Sequence, residues 1–236
     1  MTESVHHRLQ MREMVGPLRV NVDVAFGARW TLIFGPSGSG KSSLLRAMCG
    51  LLGESVAFSR RELDSSWLAL DAMPISQRGL SYAPQSPWLF PHLNVEENVA
   101  FASRSRGGSH DRSLVERALD TFYLSGYEAR MPTELSGGER QRVSLARAFA
   151  VPDAELLLLD EPFSGVDRPL RDALLPRMQA WLAGRGLPVV SVSHDVDEAL
   201  LLRAEVLRLE SGRVLAQGYA AEVLAEERAR MVWALG

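Results

Sequence analysis

The chain has 236 residues, 46% of them hydrophobic, and a formal net charge of −3, which suits one large domain with a substantial core. That charge balance gives no strong basic field, so nucleic acid is not expected as the main partner. The single cysteine, Cys49, excludes an internal disulfide framework, and no apolar run approaches the ~20 residues that a membrane-spanning helix needs.

At the N-terminus, Met1-Thr2-Glu3-Ser4 lacks the basic-then-apolar order of a secretory signal, so a soluble chain is expected. His6 and His7 follow and read as solvated residues. Leu18, Val20, Val22 and Val24 alternate with polar residues and predict a half-buried strand. Trp30 to Phe34 is a short apolar run and predicts a buried strand. A glycine-rich loop follows, and then a predicted helix over 42–52 that carries Cys49 as a small packed residue. Further buried strands are predicted at 80–83, 155–159 and 189–193. Helices are predicted at 115–123, 139–150 and 169–183. The polar, glycine-containing stretch 103–112 reads as a mobile loop. Residues 206–216, broken at Glu210-Ser211-Gly212, read as a hairpin. Strands alternating with helices predict a mostly parallel sheet covered by helices.

The glycine-rich loop is Gly35-Pro36-Ser37-Gly38-Ser39-Gly40-Lys41-Ser42, which fits the phosphate-cradling pattern G-x-x-x-x-G-K-[ST]. Lys41 is the only lysine in the chain; the other twenty-five basic residues are arginine. Where arginine is accepted everywhere else, the remaining lysine suggests a need for a compact point charge on a flexible stem. Gly38 and Gly40 let backbone amides approach phosphates, and the helix beginning at Ser42 and Ser43 points its N-terminus at them. The Ser42 hydroxyl suits Mg²⁺, which takes hard oxygen ligands and substrate phosphates.

A second constellation is Leu156-Leu157-Leu158-Leu159-Asp160-Glu161. A four-leucine strand delivers two acids at its C-terminal end, where open α/β sheets bind ligands. Asp160 is placed to hold Mg²⁺ through water, and Glu161 to polarise an attacking water. A third is Leu135-Ser136-Gly137-Gly138-Glu139. Ser136 can cap the helix that begins near Glu139, while Gly137 and Gly138 bare its amide end as a second anion site. One nucleotide does not need two helix N-termini from one chain, so two chains sharing each nucleotide are expected.

Together with Gln85 in Ala83-Pro84-Gln85, Asp167 in Ser164-Gly165-Val166-Asp167 and His194 in Ser193-His194-Asp195, these motifs resemble the ATP-binding subunit of an ABC transporter, in order and spacing, across about residues 30–200. The resemblance implies an α/β fold: a P-loop NTPase, RecA-like core with an N-terminal antiparallel β-subdomain and an inserted α-helical subdomain. The division it suggests is 1–84 with 152–236 for the nucleotide-binding core and 85–151 for the helical subdomain. It implies ATP and Mg²⁺ as cofactors and a head-to-tail homodimer with ATP at the interface. In that dimer Ser136 and Gly138 of one chain contact the γ-phosphate held by Lys41 of the other. Glu161, His194, Gln85 and Lys41 then carry the catalysis. His194 holds the γ-phosphate, Gln85 senses the metal and the water, and Asp167 couples the two sites. The expected partners are integral membrane permease subunits and, indirectly, a solute-binding protein, with the chain at the cytoplasmic face of the membrane.

Within the family the chain is most similar to the molybdate importer ATPase group. Gln77-Arg78-Gly79-Leu80-Ser81-Tyr82 and Leu89-Phe90-Pro91-His92 carry that likeness, with Asp197-Glu198-Ala199 and the Glu210-Ser211-Gly212-Arg213-Val214 hairpin fitting it too. The cluster Trp88, Leu89, Phe90 sits where family members receive a short helix of the permease, or forms a local core of the helical lobe. Three departures stand out. Met14-Val15-Gly16 offers no ring where many relatives stack one on adenine. Gly165-Val166 replaces a common Ala-Leu. No further C-terminal β-domain follows, so feedback regulation within the subunit is not expected. Two alternatives remain: a soluble single-domain ABC ATPase of the iron–sulfur assembly type, or an exporter ATPase.

Overall fold

The computed structural model describes residues 6–53, 55–104 and 111–235. In chain order the elements are β1 (His7–Val15), β2 (Leu18–Phe26), β3 (Trp30–Phe34), α1 (Lys41–Met48), β4 (Val56–Arg61), β5 (Trp67–Ala69), β6 (Leu80–Ala83), α2 (Val95–Arg104), α3 (Arg112–Thr121), α4 (Gly137–Phe149), β7 (Leu156–Asp160), α5 (Arg168–Arg185), β8 (Val189–Ser193), α6 (Val196–Leu202), β9 (Glu205–Glu210), β10 (Arg213–Tyr219), α7 (Ala220–Val223) and α8 (Ala225–Leu235). No helix among the described residues is long and apolar enough to cross a membrane. The chain divides into two compact units, residues 1–80 with 188–236, and residues 81–187.

The first unit holds an antiparallel sheet in the order β2-β1-β4-β5. β1 and β2 form a hairpin in register from His7↔Phe26 to Val15↔Leu18, closed by Gly16-Pro17. Alternation along β1 sends Leu9 and Met11 into the core and Arg8 and Arg12 to solvent. The same unit holds β3 in parallel between β8 and β9, with β10 antiparallel beyond β9. All five residues of β3 and all five of β8 are buried, as expected of parallel strands covered on both faces.

His7 corrects the expectation of a solvated pair. It is 3% exposed, with its ring stacked 5.5 Å from Phe26 and 5.8 Å from Phe58. The cause is strand phase. His7 is two residues before Leu9, so it faces the core, whereas the neighbouring His6 is exposed. Burial and the nearby His6 and Arg60 push the His7 imidazole pKa down from 6.5 to about 4.

In the second unit β6 lies beside β7. The helices pack on α4, where Val143, Leu145, Ala146 and Phe149 are buried. Phe122, Phe149 and Trp181 meet edge to face, with centroids 5.0 and 5.9 Å apart. Arg142 of α4 donates to the carbonyls of Phe122 and Tyr123, at 2.9 and 2.6 Å, and so satisfies the frayed end of α3.

Helix ends depart from the sequence reading for local reasons. α1 stops at Met48, not 52, because Gly50 turns into the left-handed region (φ 72). α3 stops at Thr121 because Tyr123 has φ 54. α4 begins at Gly137, two residues earlier than expected, because Ser136 and Glu139 cap it reciprocally. Of the stretch expected to be a mobile loop, Ser103 and Arg104 end α2, Arg112 begins α3, and 105–110 lie outside the described residues.

Candidate functional site

In the first unit the phosphate-binding pattern occupies the loop between β3 and α1. Gly38 (φ 79) and Gly40 (φ 102) take backbone angles that side chains resist, and Gly40 is the N-cap of α1. No acidic residue sits in the first turn of α1, so nothing there opposes an anion. Lys41 is 6% exposed. Its Nζ donates to the carbonyls of Gly35 and Pro36, at 2.8 Å each. The ammonium is therefore held inside the curve of its own loop. Pro36, Ser37 and Gly38 are exposed, while Ser42 and Ser43 are half-buried at the helix start. Ser39 is buried and its hydroxyl has no hydrogen-bond partner among the described residues, so the loop retains a polar atom for a bound group.

His194, in the same unit, follows β8 and is exposed. Its turn is fixed from behind. The Ser193 hydroxyl donates to Glu198 Oε2 (2.7 Å) and accepts from the Asp195 amide (3.1 Å). Asp195 caps α6, accepting from the amides of Asp197 and Glu198. Sequence reading did not find the Ser193–Glu198 pair; its one sequence signal is an acid three positions after the Asp195 cap.

In the second unit Asp160 ends β7 and is 1% exposed, with the Tyr82 hydroxyl 3.4 Å from its Oδ2. Glu161 is half-buried in a left-handed conformation (φ 46), an uncommon strain for a residue with a side chain. Gln85 donates from Nε2 to Glu161 Oε2 at 3.0 Å, so two residues 76 apart in sequence meet here. Tyr82 was missed by sequence reading; β6 brings it beside β7, which no local spacing reveals.

Ser136 accepts from the Glu139 amide (3.2 Å), and Glu139 accepts from the Ser136 amide (2.6 Å). These bonds hold the Glu139 carboxyl below its usual range. Gly137 is exposed with open space beyond its Cα. A Cβ on Gly138 would lie 2.8 Å from the Gly165 carbonyl oxygen, so the two loops approach backbone to backbone. Asp167 caps α5 by accepting from the Leu170 amide at 3.0 Å.

The aromatic segment after Gln85 is open. Trp88 is 76% exposed, and Phe90 packs 4.3 Å from Phe101. Arg147 donates to the Trp88 carbonyl (2.7 Å) and sits 5.6 Å from the Phe90 ring; burial lowers its pKa. The buried Asn98 side chain accepts from the Phe90 amide and donates to the Leu93 and Asn94 carbonyls. The segment is thus rigid on its inner side while Trp88 stands in solvent. Met14 is 58% exposed at the end of β1.

The family model for ABC transporters matches residues 19–164. The chain is 38% identical over 211 residues to the molybdenum import ATP-binding protein ModC of Albidiferax ferrireducens, a match that covers 88% of this chain and 56% of that one. It is 34% identical over 212 residues to the molybdate/tungstate import ATP-binding protein WtpC of Archaeoglobus fulgidus, covering 89% and 86%. Relatives of similar identity are named as import ATP-binding proteins for Fe(3+) ions, in Mesorhizobium japonicum (37%), and for sulfate/thiosulfate, in Xanthomonas campestris (38%). Except for WtpC, the chain spans about three fifths of these relatives' length or less. Among solved structures, cbiO1 from Clostridium perfringens, part of the ABC transporter complex cbiONQ, superposes with a TM-score of 0.78 at 23% identity. That match covers 96% of this chain and 93% of the other, and it supports the fold. With the matched family model spanning most of its length, the chain belongs to the ABC transporter family.

Proposed function

We propose that this chain is the ATP-hydrolysing subunit of an importer and drives uptake of a small solute through a separate membrane permease. The observation that carries the reading is the loop around Lys41: an ammonium held by two loop carbonyls at the start of a helix without acids, within a chain of this family. ATP lies with its phosphates on the backbone amides of 37–42. Lys41 exchanges its two carbonyl partners for the terminal phosphates. Ser42 and Asp160 each carry the hard oxygen donors that Mg²⁺ takes, and the ion would neutralise phosphate charge when bound. Glu161, oriented by Gln85, takes a proton from the attacking water, and His194 holds the γ-phosphate. Ser136, Gly137 and Gly138 offer a capped helix N-terminus to the nucleotide of a second copy, and Asp167 couples the two sites. Binding closes this homodimer and hydrolysis reopens it, and the differential affinity for nucleotide moves the permease.

The cargo favoured is an oxyanion such as molybdate, on the likeness to ModC and WtpC; relatives named for Fe(3+) and sulfate make it the finer part of the proposal. The reading is tested by Mg-ATP hydrolysis of the purified chain. Lys41→Ala abolishes nucleotide binding or turnover. Glu161→Gln binds ATP, hydrolyses it at least ~100-fold more slowly, as expected on removing a general base, and accumulates as a dimer. Full turnover by Glu161→Gln removes Glu161 as the base.

A further inference from the structure

The back of the phosphate loop is braced by the turn between β9 and β10. The Gly212 amide donates to the Ser39 carbonyl at 3.1 Å, and the Gly212 carbonyl accepts from the Asn21 amide of β2 at 2.8 Å. One residue of the turn therefore bridges the loop and the antiparallel sheet. Gly212 is buried and has φ 75, and a Cβ there would lie 2.2 Å from the Arg19 carbonyl oxygen. Only a residue without a side chain fits between the two. The approach repeats along the loop. A Cβ on Gly35 would lie 2.0 Å from the Leu209 carbonyl oxygen, and one on Gly40 would lie 3.1 Å from Leu18 and 3.8 Å from Leu209. At its base the same hairpin is tied to the chain leaving β2. Gln217 donates to the Ala25 carbonyl (2.7 Å), and Glu205 accepts from the amides of Gly27 and Ala28.

We infer that Gly212 is a positioning residue for nucleotide binding: the β9–β10 turn holds the phosphate loop in its binding shape before nucleotide arrives. This rests on the phosphate-loop reading above. A glycine-rich loop loses more conformational freedom on ordering than any other segment, and that cost is subtracted from affinity. Fixing the Ser39 carbonyl from behind removes part of the cost in advance. The consequence is a specific split. Loosening the turn weakens ATP binding, whereas turnover of bound ATP, carried by groups the turn does not touch, holds.

The test uses the full chain and hydrogen exchange with Mg-AMP-PNP as probe. Nucleotide is expected to slow exchange in a peptide covering 205–219 together with one covering 35–45. Slowing at 35–45 with no change at 205–219 overturns the inference while leaving the nucleotide reading intact. No binding of the probe, and no slowing in either peptide, overturns both. For the folded variant, Gly212→Ala is expected to raise the KM for ATP about tenfold with kcat within about twofold, the signature of lost preorganisation. Gly186→Ala is the control for general backbone strain. It lies at φ 61 with nothing within 4 Å of its Cβ, and its KM stays at the wild-type value. Equal effects of the two variants on KM overturn the inference.

Discussion

Lys41 stands alone in two senses that bear on experiment. It is the only lysine of the sequence, and the residue is 6% exposed with its ammonium donating to two carbonyls of its own loop. An amine-directed acylating reagent is expected to modify the N-terminus quickly and Lys41 slowly, and Mg-ATP is expected to suppress the second event. Intact-mass measurement reads this directly, because no other side chain carries an amine. Labelling of Lys41 that ATP leaves unchanged contradicts its role at the phosphates. His7 makes a different residue-scale prediction. Its folded pKa of about 4 lies below the ordinary 6.5, so between those values the unfolded chain binds a proton that the folded chain refuses. Stability from this group is therefore complete above pH 6.5 and falls away as pH drops toward 4. The wild type should lose about 2 kcal/mol more between pH 7 and pH 5 than His7→Phe, as measured by urea unfolding. Parallel pH dependence in the two proteins would contradict the buried neutral ring.

At the scale of elements, what could be read in the sequence followed from what each element does locally. β3, β6 and β8 were legible to the residue, because short runs of apolar residues are bounded by breaks in pattern. β1 was not, because His7, Arg8, Gln10, Arg12 and Glu13 mask an alternation that only Leu9 and Met11 reveal. The glycine loop before α1 and the Ser136–Glu139 cap of α4 were legible because their residues are contiguous in sequence. The contacts from Gln85 to Glu161, Tyr82 to Asp160 and Ser39 to Gly212 span 76, 78 and 173 positions and follow no spacing rule. Trp88 suits either a docking surface or a local core by sequence, and its exposure favours the docking surface. Trp88→Ala is expected to change stability by under about 0.5 kcal/mol, as exposed substitutions do. It should abolish most of the stimulation of hydrolysis by the reconstituted permease, with hydrolysis by the isolated chain little changed. An unaltered stimulation in proteoliposomes would return Trp88 to the helical lobe as an ordinary surface residue.

For the whole molecule, fold and family rest on matches that cover most of the chain, whereas the transport role rests on what relatives of that family are named for. Net charge and composition leave the partner undefined, and no described helix is long and apolar enough to cross a membrane. The most direct measurement is to tag the chain, express it at low level, purify it from detergent-solubilised membranes and identify what accompanies it by mass spectrometry. The account predicts a stoichiometric integral membrane permease whose solute-binding protein takes up molybdate, tungstate or sulfate. Recovery of the chain only from the soluble fraction, with cytosolic partners, would contradict it and leave a soluble ATPase of the same family.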